Sequence, residues 1–168
     1  MQSTFRIPRL LAVLLRRWTF FNAARPLQMV AASAAPFMLR HSNPPGLWRS
    51  PRLTQMVEVQ GARMIYLSGQ TPADENYRVH SGDIGEQANA VYDNIEIALK
   101  AAGAGWDNVV KTTTYLTDAA LIKDFRDARI ARFKNLKAAP ANTLLIVSRL
   151  AEPEFLIEVD VIAAVPAR

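Results

Sequence analysis

The chain has 168 residues, half of them hydrophobic, and a formal net charge of +5. That length accommodates one domain of ordinary size with a real core plus an extra segment, and leaves no room for a second full domain. The absence of cysteine excludes a disulfide framework, a thiol nucleophile and zinc sites built on sulfur. The two histidines, His41 and His80, lie far apart without ligand spacing, so no metal is expected.

The charge is unevenly spread. Residues 1–57 hold eight arginines (Arg6, Arg9, Arg16, Arg17, Arg25, Arg40, Arg49 and Arg52) with no lysine and no acid, the first acid being Glu58. Residues 58–168 carry 15 acids against 12 lysines and arginines, a balance of −3. The basic character therefore belongs to the leading segment, and residues 1–50 read as a basic leader or unstructured extension ahead of a domain at 51–168.

Two readings of the leader stand open. Its arginine, alanine and serine content and the amphipathic run FRIPRLLAVLLRRWTFF fit a mitochondrial transit peptide; alternatively, Met29 or Met38 is the true start. The corresponding locations are mitochondrial or cytoplasmic. The apolar run LLAVLL is closed by Arg16-Arg17, short for a secretory signal and far short of the roughly 20 residues of a membrane span. Arginines without an aromatic nucleic-acid motif give only non-specific attraction to phosphate, so no specific nucleic-acid partner is expected.

In chain order, LTQMVEVQGARMIYLSG predicts two strands meeting at Gly61-Ala62 as a hairpin. After a polar stretch, Asp83 and Glu86 form a D-x-x-E capping box. The helix it opens carries Ile84, Ala88, Val91, Ile95, Ala98, Leu99 and Ala102 at three- and four-residue steps and stops at Gly103 and Gly105. NVVKTTTYL predicts a β-branched strand. Asp118 caps a second helix expected to bury Leu121, Ile122, Phe125, Ala128 and Phe133, with Lys123, Asp124, Arg126, Asp127 and Arg129 outward. TLLIVSRL and FLIEVDVIAAV close an α+β domain of order β-β-α-β-α-β-β, both helices on one face of a mostly antiparallel sheet.

The run Thr143 to Val147 offers apolar side chains to both faces, so the face without helices needs a cover, and a further copy of the chain supplies one. Glu158 and Asp160, two apart on one strand, point to the same face; a carboxylate there is paired, exposed at an edge, or functional.

Four motifs in register resemble the Rid (reactive intermediate deaminase, YjgF) family, also described as L-PSP endoribonuclease-like, over 53–165. LSGQTP at 67–72 resembles its TSGQIP turn, and GDI followed by Glu86-Gln87 its helix start. AAGAGWDNVVKTTTYLTD matches its AAG-S-DNVVKTTVFLTD segment, and Pro140-Ala141 with Ile157-Glu158-Val159-Asp160 its PAR…IEIE ending. The resemblance implies a chorismate-mutase-like fold, a homotrimer with clefts between subunits, and hydrolysis of enamines and imines to 2-oxo acids and ammonia without a cofactor. It makes Glu158 the acid that orients water, with Ser68, Gly69, Gln70, Asn142, Thr143, Leu53 and Tyr115 lining the ligand. Two family residues are absent: Asn142 replaces the arginine that grips the substrate carboxylate, and Leu53 in PRLTQ stands at the tyrosine of GPYSQ. The resemblance therefore implies a small-molecule protein with weak or absent 2-imino acid deaminase activity. The alternative is a non-catalytic trimeric metabolite-binding module. RNA cleavage is disfavoured by the domain's −3 balance and the lack of a histidine acid/base pair.

Overall fold

The computed structural model describes residues 35–167. The expectations for residues 1–34, including the transit peptide and the alternative start at Met29, lie outside them. Six strands and two helices follow one another: β1 (Met38–Ser42), β2 (Met56–Gln60), β3 (Ala62–Gln70), α1 (Ile84–Ala101), β4 (Val109–Leu116), α2 (Ile122–Phe133), β5 (Ala141–Ile146) and β6 (Ile157–Pro166). From 51 onward the order is the expected β-β-α-β-α-β-β, an α+β domain. Residues 38–42, inside the 1–50 segment, add a strand.

The expected hairpin takes a different form. The two strands do flank Gly61, yet they do not pair with each other: β2 pairs with β1 as a two-stranded antiparallel sheet, and β3 pairs with β6. Gly61 has a φ of +60°, and a Cβ there would run into the carbonyl of Ala35, so the chain changes sheets where only glycine fits.

The main sheet has the order β3-β6-β4-β5, with β4 and β5 parallel and the other pairs antiparallel. Its buried side alternates along β6 as Ile157, Val159, Val161 and Ala163, and along β4 as Thr112, Thr114 and Leu116. Onto that side α1 packs Ile84, Ala88, Val91, Ile95 and Leu99, and α2 packs Phe125. Arg132 of α2 reaches α1 at Asp93 (2.7 Å) and Glu96 (2.6 Å), while Tyr92, Trp106 and Phe133 stack beside this junction.

Helix α1 starts where the capping box places it. The Asp83 carboxylate accepts from Glu86 N at 3.0 Å, and the Glu86 carboxylate accepts from Asp83 N at 3.1 Å. The same helix locks two loops beside the sheet. Buried Gln87 donates to Glu154 O and accepts from Leu156 N, fixing the entry to β6, and Asn94 donates to Thr71 O and Ala73 O, fixing the exit from β3. Helix α2 is preceded by a short 3-10 turn at Ala119–Leu121, capped by Asp118 Oδ1 accepting from Ala120 N.

One side chain departs from the expected amphipathic pattern of α2. Arg129 is buried, at 7% exposed. It stands four residues from both Phe125 and Phe133 and so shares their stripe.

Asp83→Ala removes the side-chain half of the capping box, leaving the backbone N–H from which Glu86 accepts, and is expected to lower unfolding stability by about 1 kcal/mol in denaturant titration. An unchanged midpoint would show that the cap does not support α1.

Candidate functional site

The side of the main sheet away from the helices carries the two carboxylates. Glu158 is opposite Tyr115 on β4, and Asp160 is opposite Thr113. The Tyr115 hydroxyl donates to Asp160 Oδ2 at 2.9 Å, so Asp160 is engaged and Glu158 has no protein donor among the described residues. On the other flank, the register of β3 against β6 slips between Leu67 and Gln70, a bulge that puts Ser68 and Gly69 beside Asp160 and Glu158. A Cβ at Gly69 would overlap Glu158 Oε1. Glycine is thus required there by the close approach of the carboxylate. The Gln70 amide folds back to donate to Ser68 O at 3.0 Å, holding the bulge.

The electrostatics follow from this arrangement. Burial, and after it the neighbouring Asp160 charge, pushes the Glu158 carboxyl above its ordinary value. The hydrogen bond and charge of Asp160 raise the Tyr115 phenol. Lys111, farther along β4 on the same face, has its ammonium pKa lowered by burial and donates to the Thr143 hydroxyl. Glu158, Gly69, Ser68, Tyr115 and Thr143 accordingly share one face of the sheet.

Asn142 and Leu53 do not join them. Asn142 pairs with Thr112 of β4, whose side chain is buried under the helices. The Thr112 hydroxyl donates to Asn142 Oδ1 at 2.7 Å, which puts Asn142 on the opposite side of the sheet from Glu158. Leu53 is brought to it by Thr54, whose amide donates to Pro140 O (3.3 Å) and whose hydroxyl donates to Ala139 O (2.6 Å). Leu53, Asn142, Leu144 and Phe125 then line a cavity of ≈ 190 Å³ together with Arg52, Arg126 and Arg129.

The expected residues thus divide into two half-sites on opposite faces. Asp160 was expected on the face of Glu158, and its bond to Tyr115 was not; Arg129 in the wall of the Asn142 cavity was not foreseen. The place of Arg129 was legible in its spacing, i, i+4 from Phe125. Among the described residues, no three His, Asp or Glu side chains gather as a metal-binding group, and no helix is long and apolar enough to cross a membrane.

A family profile described as endoribonuclease L-PSP matches residues 51–165. The chain belongs to this family, also known as Rid or YjgF. A RutC family protein of Pyrococcus abyssi is 36% identical over 106 residues, covering 62% of this chain and 81% of that protein. The DfrA protein of Myxococcus xanthus is 32% identical over 111 residues, 66% of this chain and 82% of that protein. Among solved structures, the Rid-family protein YyfB of Yersinia pestis superposes with a TM-score of 0.70 at 26% identity, covering 76% of this chain and 98% of that one. The YjgF protein of Escherichia coli superposes at 0.55 with 29% identity, covering 62% and 85%. The sheet with two helices on one side is thus the Rid fold.

Removing the Asp160 charge relieves its repulsion of Glu158. Asp160→Asn should bring the Glu158 titration midpoint down toward, but not to, the ordinary carboxyl range, because burial persists. Carbon-13 NMR of the Glu158 carboxyl reads this directly, and an unmoved midpoint would mean that the two charges do not interact.

Proposed function

We propose that this Rid protein is a small-molecule hydrolase of the enamine and imine type whose activity on short 2-imino acids is weak. The observation that carries the reading is Glu158: a carboxylate with a raised pKa, set against a glycine bulge, with its neighbour Asp160 already occupied by Tyr115. A carboxylate without a protein donor can accept a hydrogen bond from water and take its proton as the water attacks an imine carbon. The C=N bond then becomes C=O, and nitrogen leaves as ammonia. Raising the pKa toward neutrality makes the carboxylate a better base at working pH. Because the base form is required, turnover rises with pH through that raised value.

The ligand site is completed by assembly. Glu158 and Asn142 lie on opposite faces of one sheet, so a single chain cannot offer both to one small molecule. The face of Glu158 also exposes Met64, Tyr66 (71%) and Leu145, apolar side chains that a copy of the chain would cover. A homotrimer, in which the Glu158 face of one subunit meets the Asn142 cavity of the next, satisfies both requirements. Ser68, Gly69, Gln70, Tyr115 and Thr143 would line the cleft from one side, and Leu53 and Asn142 from the other.

Asn142 sets the limit on rate. A neutral amide lacks the two-pronged charged contact of the family arginine, and loss of such a contact weakens binding by about 2–5 kcal/mol. That corresponds to about thirty- to several-thousand-fold in turnover of a 2-imino acid. Asn142 and Leu53 together favour a second reading, a metabolite-binding module that keeps the cleft without the chemistry.

Purified protein should hydrolyse 2-aminoacrylate slower by that factor than an arginine-bearing relative. Asn142→Arg should recover part of the difference, and Glu158→Gln should remove what turnover exists. Rates equal to the relative would overturn the role given to Asn142. Ligand binding without turnover, altered by Glu158→Ala, would favour the binding module.

A further inference from the structure

The protein has five lysines, Lys100, Lys111, Lys123, Lys134 and Lys137, and the hydrolytic chemistry uses none of them. Four are exposed. Lys100 pairs with Glu96 and Lys123 with Asp124 and Asp127, while Lys134 and Lys137 stand beyond the last residue of α2. Lys111 is different. It is half-buried on β4, an interior strand, and has no carboxylate partner among the described residues.

The register of the sheet fixes its surroundings. Lys111 stands opposite Ile162 of β6 and Ala141 of β5, and Ile162 is in turn opposite Tyr66 of β3. That row offers the ammonium no counter-charge. The acid closest in register is Asp160, two residues along β6 from Ile162, and its carboxylate accepts the Tyr115 hydroxyl. What the amine does have is a hydroxyl, since Nζ donates to Thr143 Oγ1. Burial without a compensating charge disfavours the ammonium and lowers the Lys111 pKa, which enlarges the share of neutral amine, the nucleophilic form. Because β5 is an edge strand and its residue beside Lys111 is an alanine, the amine of one chain is approachable from that side.

We propose that Lys111 is a nucleophile that captures the carbonyl group of a small 2-oxo acid as a Schiff base, with the Thr143 hydroxyl relaying the proton. This goes beyond the hydrolysis assigned to Glu158; only the choice of a 2-oxo acid rests on that reading, in which such acids are the product. The neutral amine adds to the carbonyl carbon, forming the C–N bond, and Thr143 passes a proton from nitrogen to oxygen. The oxygen then leaves as water with the second nitrogen-bound hydrogen, and a C=N bond remains on Lys111. Tyr115, in the row of Glu158, is four residues or about 13 Å away along β4, so capture and hydrolysis occupy different parts of one face.

Reductive trapping on the native full-length protein tests this. The protein is incubated with pyruvate and cyanoborohydride, which reduces an imine to a stable secondary amine, and the adduct on each lysine is quantified by peptide mass spectrometry. Labelling at Lys111 should exceed that at each of the four exposed lysines, although these are the more accessible. Thr143→Val, which removes the hydroxyl at nearly constant size, should slow labelling at Lys111 several-fold and leave the exposed lysines unchanged. Labelling of Lys111 at or below the level of the exposed lysines, an unchanged rate in folded Thr143→Val, or capture of propanal without capture of pyruvate would overturn the proposal. The comparison among lysines and the propanal arm use the native chain, so they decide the matter even where Thr143→Val fails to fold. The hydrolytic reading fails separately, by undiminished turnover in Glu158→Gln, so the two outcomes are distinguishable.

Discussion

A sheet packed by helices on one side only, with two carboxylates side by side on the other, is the constraint from which the rest of this structure follows. Strand β6 is flanked by β3 and β4, so Glu158 and Asp160 cannot retreat to an edge where water would screen them fully. Each is accommodated differently. Asp160 accepts the Tyr115 hydroxyl, and Glu158 occupies the space that a bulge and a missing side chain at Gly69 leave for it. The price of that arrangement is a carboxylate held partly desolvated next to a like charge, which is also what makes it a usable base.

The opposite face distributes polarity in the reverse sense. Thr112, buried against the helices, turns its hydroxyl to Asn142, and the α2 stripe that includes Phe125 and Phe133 includes Arg129 as well. Glu158 and Asp160 thus lie on one side of the sheet, with Lys111, and Asn142 and Arg129 lie on the other. Under the proposed assembly, the two half-sites on opposite faces would meet between successive copies of one chain. In that arrangement, closure of the oligomer and completion of the ligand cleft become the same event.

Much of the architecture was written in local chemistry. Asp83 and Glu86 announced the start of α1, the β-branched run at 109–116 announced β4, and the doubly apolar Thr143 to Val147 pointed to an uncovered face. What the sequence did not disclose depended on long-range pairing. Glycine at 61 was read as the turn of a hairpin, and it does mark a change of direction, but the partners of β2 and β3 are Met38–Ser42 and β6. Strand partnership over such separations is set by competition among many strands, which local propensity does not record. Arg129 was read as solvated because arginine seldom lies inside. Its spacing from Phe125 and Phe133 contradicted that reading, and the spacing prevailed because a backbone carbonyl and an aromatic ring were there to receive the guanidinium. Glu158, Gly69 and Tyr115 were expected together and are together. Asn142 was expected in the same cleft between subunits, and its place across the sheet within one chain follows from one residue of register, since neighbouring positions on a strand face opposite ways.

The dependence of the site on a neighbouring copy is tested most directly by sedimentation equilibrium of the full-length protein at micromolar concentration. Three chains per particle are expected under the proposed assembly, in which each Glu158 face is covered and each Asn142 cavity closed by a neighbour. A particle containing one chain, with the Glu158 face open to water, would contradict the shared cleft and with it the functional reading built on Glu158.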